Sequence, residues 1–360
     1  MSGNSTPPSG ASVIQAGVVL GKPRFTDINR SAIVRLLGQD GRSVDVSNVR
    51  GGGENAGASS GVVVFDASID GVERGYVLRY APMKNERRLF LDYRIPEQAG
   101  LQKKLAQARL PVPDSFWVDP DGRILGVPGF VMERIDGEVA HAAPFSSGLV
   151  AEASQADRLA TIGSIHEVLG RIHSVDWQAL DLQRDVCRAE GRTYLERYIN
   201  WYWKTVEWVA DKASLSRLDA VRQWLFSNQP SHHPDDASLI HGDPSLGNYM
   251  LQEGRVAAAI DWELSGIVSP SYDIAMQCLA NSFYRQAAPE SAAIIPTDAE
   301  WIASYEERSG RRLKDFDFYM KAACLPLLTV HLSMRRSIPQ EMLTMHSEMT
   351  EATWAVAEAH

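Results

Sequence analysis

Two short segments constrain this chain more than anything else in it. "LIHGDPSLGNYML" occupies 239–251, and "VAAAIDWELSG" follows at 256–266. Asp261 stands thirteen positions after Asn248, a distance that accommodates one strand, a tight turn and a second strand. Such a hairpin sets Asn248 and Asp261 side by side and leaves His241 and Asp243 in the loop ahead of the first strand. The plain alternative is a tight turn in which Asp243 and Asn248 bond their own backbone. A small apolar strand ending in D-x-E, with Glu263 on the same face as Asp261, gives the loop a partner that a bare turn does not need.

The rest of the chain divides in two. After a polar stretch, "FTDINRSAIVRLLGQ" reads as an amphipathic helix capped by Thr26 or Asp27. The Val-rich segments "SVDVSNV", "SGVVVFDAS" and "RGYVLRYA" read as strands, with a hairpin turn at "IDG". "PEQAGLQKKLAQA" is expected to be a helix with Pro96 in its first turn, and short strands return up to residue 131. Beyond residue 155 the pattern is helical. These features predict an α+β protein of two lobes: a tail over 1–22 expected to be disordered, a β-rich N-lobe over 23–131, a hinge over 132–137 and a helical C-lobe over 138–360. Clefts between such lobes are common ligand sites.

Composition excludes several classes. A net charge of −9 disfavours nucleic-acid binding, which needs a basic face. No apolar run reaches the roughly 18 residues of a membrane span, and the N-terminus lacks a signal peptide's basic start and apolar stretch, so a cytoplasmic location is expected. Cys187, Cys278 and Cys324 lie far apart without a C-x-x-C pair and are expected to be buried thiols.

The loop between the first two strands, "RGGGENAGASSG", suits a flap whose backbone amides approach an anion closely; it also suits a flexible hairpin connection. The candidate phosphate contacts in it are Gly52, Gly53, Asn55, Ser59 and Ser60. A Walker-type G-x-x-x-x-G-K-[ST] is absent, and the run is not a clean G-x-G-x-x-G. Arg79 follows on a strand; taken alone it reads as an ordinary exposed strand residue, but a cation there can pair with nucleotide phosphates, and Glu97 on the next helix is then the expected carboxylate to hold it. The amide oxygen of Asn248 and the carboxylate of Asp261 are hard ligands suited to Mg²⁺. From the loop tip, Asp243 would orient an acceptor hydroxyl and take its proton.

H-G-D-x-x-x-x-N followed by a strand ending in D-x-E resembles the aminoglycoside phosphotransferase and choline kinase family, whose fold is protein-kinase-like. Within it, "DWELS" and an Arg on the third strand are most similar to the phosphotransferase-like domains associated with acyl-CoA dehydrogenases. The resemblance takes in "YVLRY", "LPVP", "FVMERIDG" and "GRIHSVD" as well, and runs from about residue 27 to at least residue 280. It implies an ATP- and Mg²⁺-dependent phosphotransferase acting on a hydroxyl of a small molecule. Asp243 would be the catalytic base, and Asn248 and Asp261 the metal ligands. The backbone at Glu133 and Ile135 would hold the adenine, with His241 structural and Asp273 bracing the loop. The third-strand residue departs from the usual Lys, since Arg79 keeps the charge but not the shape of the contact.

Aminoglycosides, choline-like amines and hydroxyacyl-CoA thioesters all fit this machinery as acceptors; an uncharged or anionic one is expected. Two other classes fit parts of the pattern: a nucleotide-binding pseudokinase with a regulatory role, and a metallohydrolase built on His232, His233, His241, Asp243 and Asp261. His166 and His173, seven apart on one helix, read as packed or capping residues. In "YLERYINWYWKTVEW", Tyr194, Trp201 and Trp208 recur at sevens and read as a core stripe, with a cage for a cationic group as the alternative.

Overall fold

The structure is a computed structural model; it describes residues 28–52, 59–83, 88–140, 143–231, 236–336 and 343–359. The tail over 1–22, Thr26, Asp27, Gly53, Asn55, His232 and His233 all lie outside the described residues.

Helix α1 (Arg30–Leu37) is capped by Asn29, whose side chain accepts from the Ala32 amide, rather than by Thr26 or Asp27. Strands β1 (Val44–Gly51), β2 (Gly61–Ile69) and β3 (Val72–Tyr80) form a meander. Asp70 (φ 50°) and Gly71 (φ 82°) make the tight β2–β3 turn, both in the left-handed region that a primed hairpin turn requires. Helix α2 (Ile95–Gln107), with Pro96 in its first turn, is followed by β4 (Ser115–Asp119) and β5 (Gly129–Glu133). The five strands make one antiparallel sheet in the order β1-β2-β3-β5-β4.

Alternate β2 residues, Val63, Phe65, Ala67 and Ile69, pack with Ile33, Leu36 and Leu37 of α1 into an N-lobe core. Helix α2 takes the opposite course. Its Ile95 and Ala99 join the C-lobe core around Tyr198, Tyr202 and Leu325, while Leu101 and Leu105 join a second C-lobe core around Ile165 and Trp301.

Past Glu133 the chain crosses to β6 (Glu138–Val139) and becomes helical: α3 (Leu149–Glu152), α4 (Gln155–His173), α5 (Tyr194–Val209), α6 (Lys212–Ser227), α7 (Ser271–Ala287), α8 (Asp298–Ser309), α9 (Phe316–Arg335) and α10 (Leu343–Glu358). Side-chain oxygens of Ser154, Thr193, Asp211 and Thr297 cap α4, α5, α6 and α8. Between α6 and α7 lie β7 (Ser238–Ile240), β8 (Tyr249–Gln252), β9 (Arg255–Ala259) and β10 (Gly266–Val268). No helix among the described residues is long and apolar enough to cross a membrane.

The aromatic stripe of α5 differs from expectation. Trp201 is buried, but Tyr194 is only half-buried and Trp208 is exposed. The core face runs through Leu195, Tyr198, Ile199, Tyr202 and Val206. At 3.6 residues per turn a spacing of seven drifts around the helix, whereas steps of three and four stay on the packed side. Cys187, Cys278 and Cys324 are free thiols, all buried.

Candidate active site

The loop and the D-x-E segment are held together at both ends. Antiparallel β7 and β10 pair Ile240 with Gly266, and β8 and β9 pair Tyr249 with Ala259. The β8–β9 turn is made by Glu253 (φ 49°) and Gly254 (φ 72°). Between these two ladders, residues 241–248 lie directly against residues 260–265. The Ile260 amide donates to Asn248 O at 2.9 Å, and His241 Nε2 lies 2.9 Å from Ile260 O. The hairpin read from the thirteen-residue spacing therefore exists, and it brings Asn248 and Asp261 together.

At Gly242 the backbone turns at φ 86°, and a Cβ there would stand 1.8 Å from Leu264 O. Only glycine allows so close an approach. The loop is tied to α7 by Asp273, whose Oδ2 accepts from the His241 amide at 2.8 Å and whose Oδ1 accepts from the Gly242 amide at 2.9 Å. His173 Nε2 also reaches Asp273 Oδ2, at 3.0 Å, and Tyr305 OH engages the other imidazole nitrogen at 2.7 Å. Gln277, one turn along α7, donates to Pro244 O at 2.9 Å. His173, Tyr305 and Gln277 were not singled out as site residues. Their only sequence signal was His173 inside "GRIHSVD".

Asp243 is half-buried at the loop tip. Its Oδ1 accepts from the hydroxyl and, at 3.4 Å, from the amide of Ser245. Asn248 Nδ2 donates to Asp243 O at 2.9 Å, so the amide oxygen is the end of Asn248 left to act as a ligand. His241 is fully buried, with its ring against Trp262 and Tyr249.

Arg79 reaches into this centre from β3. Its Nη2 stands 2.7 Å from Asp261 Oδ1 and 2.6 Å from Glu263 Oε2. The contact with Glu263 is a hydrogen bond, and the contact with Asp261 is a close ion pair on the same nitrogen. Burial works against the guanidinium charge, but Asp261 and then Glu263 outweigh it and hold the Arg79 pKa above its ordinary value. Burial, followed by the charge of Asp261, raises the Glu263 carboxyl above the usual carboxylate range despite Arg79. The carboxylate expected to hold Arg79, Glu97, is not the one that does so. Glu97 lies on a half-exposed side of α2, whose buried polar residues are Gln98 and Gln102.

From the glycine-rich loop, Ser60 Oγ approaches Glu263 Oε2 at 3.4 Å, and both Ser59 and Ser60 are buried. The Gly52 amide donates to Val62 O at 3.0 Å, so it closes the β1–β2 hairpin and is not free for an anion. Glu133 ends β5 with its amide committed to Asp114 O at 2.9 Å, and Ile135 follows in the irregular crossing to β6.

The donor set suits a metal-bound polyphosphate. Asp261 Oδ1 is buried with Arg79 as its cationic partner, Arg79 Nε is buried without an acceptor, and Asn248 directly precedes the strand paired with the one that leads to Asp261. Hard oxygen ligands and a spare buried cationic donor in one cleft match Mg²⁺ with a phosphate chain. No group of three or more His, Cys, Asp and Glu side chains among the described residues is arranged to hold a metal ion.

The chain is 34% identical over 190 residues to mouse acyl-CoA dehydrogenase family member 10, covering 52% of this chain and 17% of that protein. It is 28% identical over 275 residues to mouse acyl-CoA dehydrogenase family member 11, covering 73% and 34%. The chain thus spans about a third or less of these relatives. Among solved structures it is similar to a putative aminoglycoside phosphotransferase from Ralstonia eutropha, with a TM-score of 0.66 at 24% identity over 92% of this chain and 99% of that one. A thermostable mutant of aminoglycoside phosphotransferase APH(4)-Ia, solved with AMP-PNP and hygromycin B, gives a TM-score of 0.53 at 18% identity over 88% and 96%. The two-lobe fold is the protein-kinase-like fold of these phosphotransferases. Residues 68–314, well over half of the chain, match the phosphotransferase enzyme family (APH), and the chain belongs to it.

Proposed function

We propose that the chain transfers the γ-phosphate of ATP to a hydroxyl of a small molecule. The observation that carries this reading is the assembly of Asp243, Asn248 and Asp261 by one hairpin, facing a cation delivered by the other lobe. Asn248 and Asp261 would hold Mg²⁺, which supplies charge neutralisation for the phosphate chain when bound. Arg79 pairs with phosphate oxygens, and its unpartnered Nε is the donor left for them. Asp243 orients the acceptor hydroxyl and accepts its proton, while Ser245 steadies Oδ1. Support for a nucleotide and a small-molecule partner also comes from a mutant of APH(4)-Ia, solved with AMP-PNP and hygromycin B.

The acceptor is an uncharged or anionic hydroxyl compound, with hydroxyacyl thioesters as the leading class. A polycationic aminoglycoside needs carboxylates free to meet it. Several acids of the C-terminal region are instead paired with arginine: Asp298 with Arg285, Glu306 with Arg312, and Glu351 and Glu358 with Arg217. The similarity to acyl-CoA dehydrogenase family members points the same way. The test is an ADP-release screen over aminoglycosides, choline-like amines and hydroxyacyl thioesters, with mass detection of product. Phosphorylation of a thioester hydroxyl at the highest kcat/KM is the expected result. An aminoglycoside turned over more efficiently than every thioester would overturn the acceptor class, and the absence of any phosphorylated product would overturn the reaction.

A further inference from the structure

We propose that Glu263 is the positioning residue for Arg79, bringing across the cleft the carboxylate that the helix after the third strand supplies in protein kinases. The inference rests on the reading above that Arg79 meets nucleotide phosphates. The contact is direct, at 2.6 Å, between side chains that are 7% and 10% exposed. An ion pair so poorly hydrated is geometrically defined in a way that a surface pair is not. The helix that carries the carboxylate in kinases has none on its inner face here. Gln98 and Gln102 occupy that face, with Gln98 Nε2 bonded to Tyr93 O and Gln102 Nε2 to Pro113 O.

The relocation has a mechanical meaning. Glu263 lies 184 positions from Arg79, in the lobe opposite, and on the same short turn as Asp261. Among the described residues, the side-chain partners of Arg79 come from the C-lobe, so its placement depends on the N-lobe sheet sitting there, and the segment that offers the metal ligand also sets the cation. Ser60 reaches the same Glu263 oxygen, so the end of the glycine-rich loop is drawn to this one carboxylate. Asp261 and Glu263 share a single Arg79 nitrogen. Were Asp261 to turn to another cation, Glu263 would still retain the guanidinium.

A double-mutant cycle on binding of AMP-PNP with Mg²⁺, read by titration calorimetry, tests this without relying on turnover. Glu263→Gln and Arg79→Met should each weaken binding by about tenfold, and the double variant by no more than about tenfold, because both remove one shared interaction. Multiplying effects in the double variant would overturn the proposal. So would unchanged affinity in a folded Glu263→Gln protein, or a loss in Glu97→Gln equal to that in Glu263→Gln. If Arg79→Met does not fold, Arg79→Lys replaces it, and the effect of Glu263→Gln should shrink in that background; an undiminished effect overturns the role. A wild-type protein that fails to bind AMP-PNP overturns the nucleotide reading itself, a result separate from the outcome of the cycle.

Discussion

His173 Nε2 lies 3.0 Å from Asp273 Oδ2, and both side chains are fully buried. The imidazole comes from the end of α4 and the carboxylate from the first turn of α7, so the pair ties two helices together behind the 241–248 loop. The same carboxylate accepts the amides of His241 and Gly242. One side chain thus satisfies three donors that have no water to turn to.

Asp273→Asn is accordingly expected to destabilise the protein by about 3 kcal/mol, since an amide presents one acceptor and a donor where two acceptors are needed. Urea unfolding of the variant and the parent measures it. A loss below about 1 kcal/mol would show that the loop holds its shape without the carboxylate.

Gly242 and Gly247 make a contrasting pair on one loop. A Cβ at Gly242 meets Leu264 O at 1.8 Å with φ at 86°, whereas one at Gly247 meets nothing nearer than Ala140 O at 3.6 Å. Gly242→Ala should cost about 3 kcal/mol or more, or prevent folding, and Gly247→Ala should stay within about 1 kcal/mol of the parent. Comparable melting temperatures for the two variants would contradict the close approach at Gly242.

Asp243 and Asp261 should separate by what they disturb. Asp243→Asn should leave nucleotide affinity intact and lower turnover by roughly 10²- to 10⁴-fold, the range for a positioned proton acceptor. Asp261→Ala should instead abolish the gain in nucleotide affinity that Mg²⁺ gives, as titrations with and without the metal would show. Turnover of Asp243→Asn within a few-fold of the parent, or an unchanged metal effect in Asp261→Ala, would remove the corresponding assignment.

Stability should fall in acid for a reason remote from the cleft. Burial holds the His166 and His331 imidazoles neutral, with pKa values lowered to about 3 in each case. The unfolded chain binds a proton near pH 6.5, so it takes up more protons than the folded one between about 6.5 and 3. Stability is therefore complete above that window and declines as pH falls through it, by up to about 1.4 kcal/mol per pH unit for each histidine. Unfolding free energies at pH 7, 6 and 5 should show this slope, and His331→Asn should reduce it by one histidine's share. An identical slope in the variant would mean that His331 is hydrated.

What was legible in the sequence was local. The hairpin joining Asn248 to Asp261, the Asp70–Gly71 turn and the Pro96 helix start all depend on neighbours within about a dozen positions, and spacing alone indicates them. The partners of Arg79 and His173 were not legible, because Glu263 and Asp273 reach them across 184 and 100 positions. Glu97 was the one carboxylate on the helix that follows the third strand, and nearness along the chain is a poor guide to contacts between lobes. The α5 stripe failed for a different reason: aromatic residues occur on several sides of that helix, and packing against Leu264 and Tyr272 selects the Tyr198 side.

Asp261 holds its carboxylate on a backbone at φ 66°, where a residue with a side chain gives up about 1 kcal/mol relative to glycine. Glycine at this position would relieve the backbone but strip a carboxylate from the buried Arg79, so the burden is retained for the ion pair as well as for the site. Arg109 (φ 61°), just beyond the end of α2, and Glu253 (φ 49°), in the β8–β9 turn, carry the same backbone burden with exposed side chains. Arg109→Gly and Glu253→Asn are where an engineer seeking a sturdier protein can relieve that burden and leave the chemistry alone.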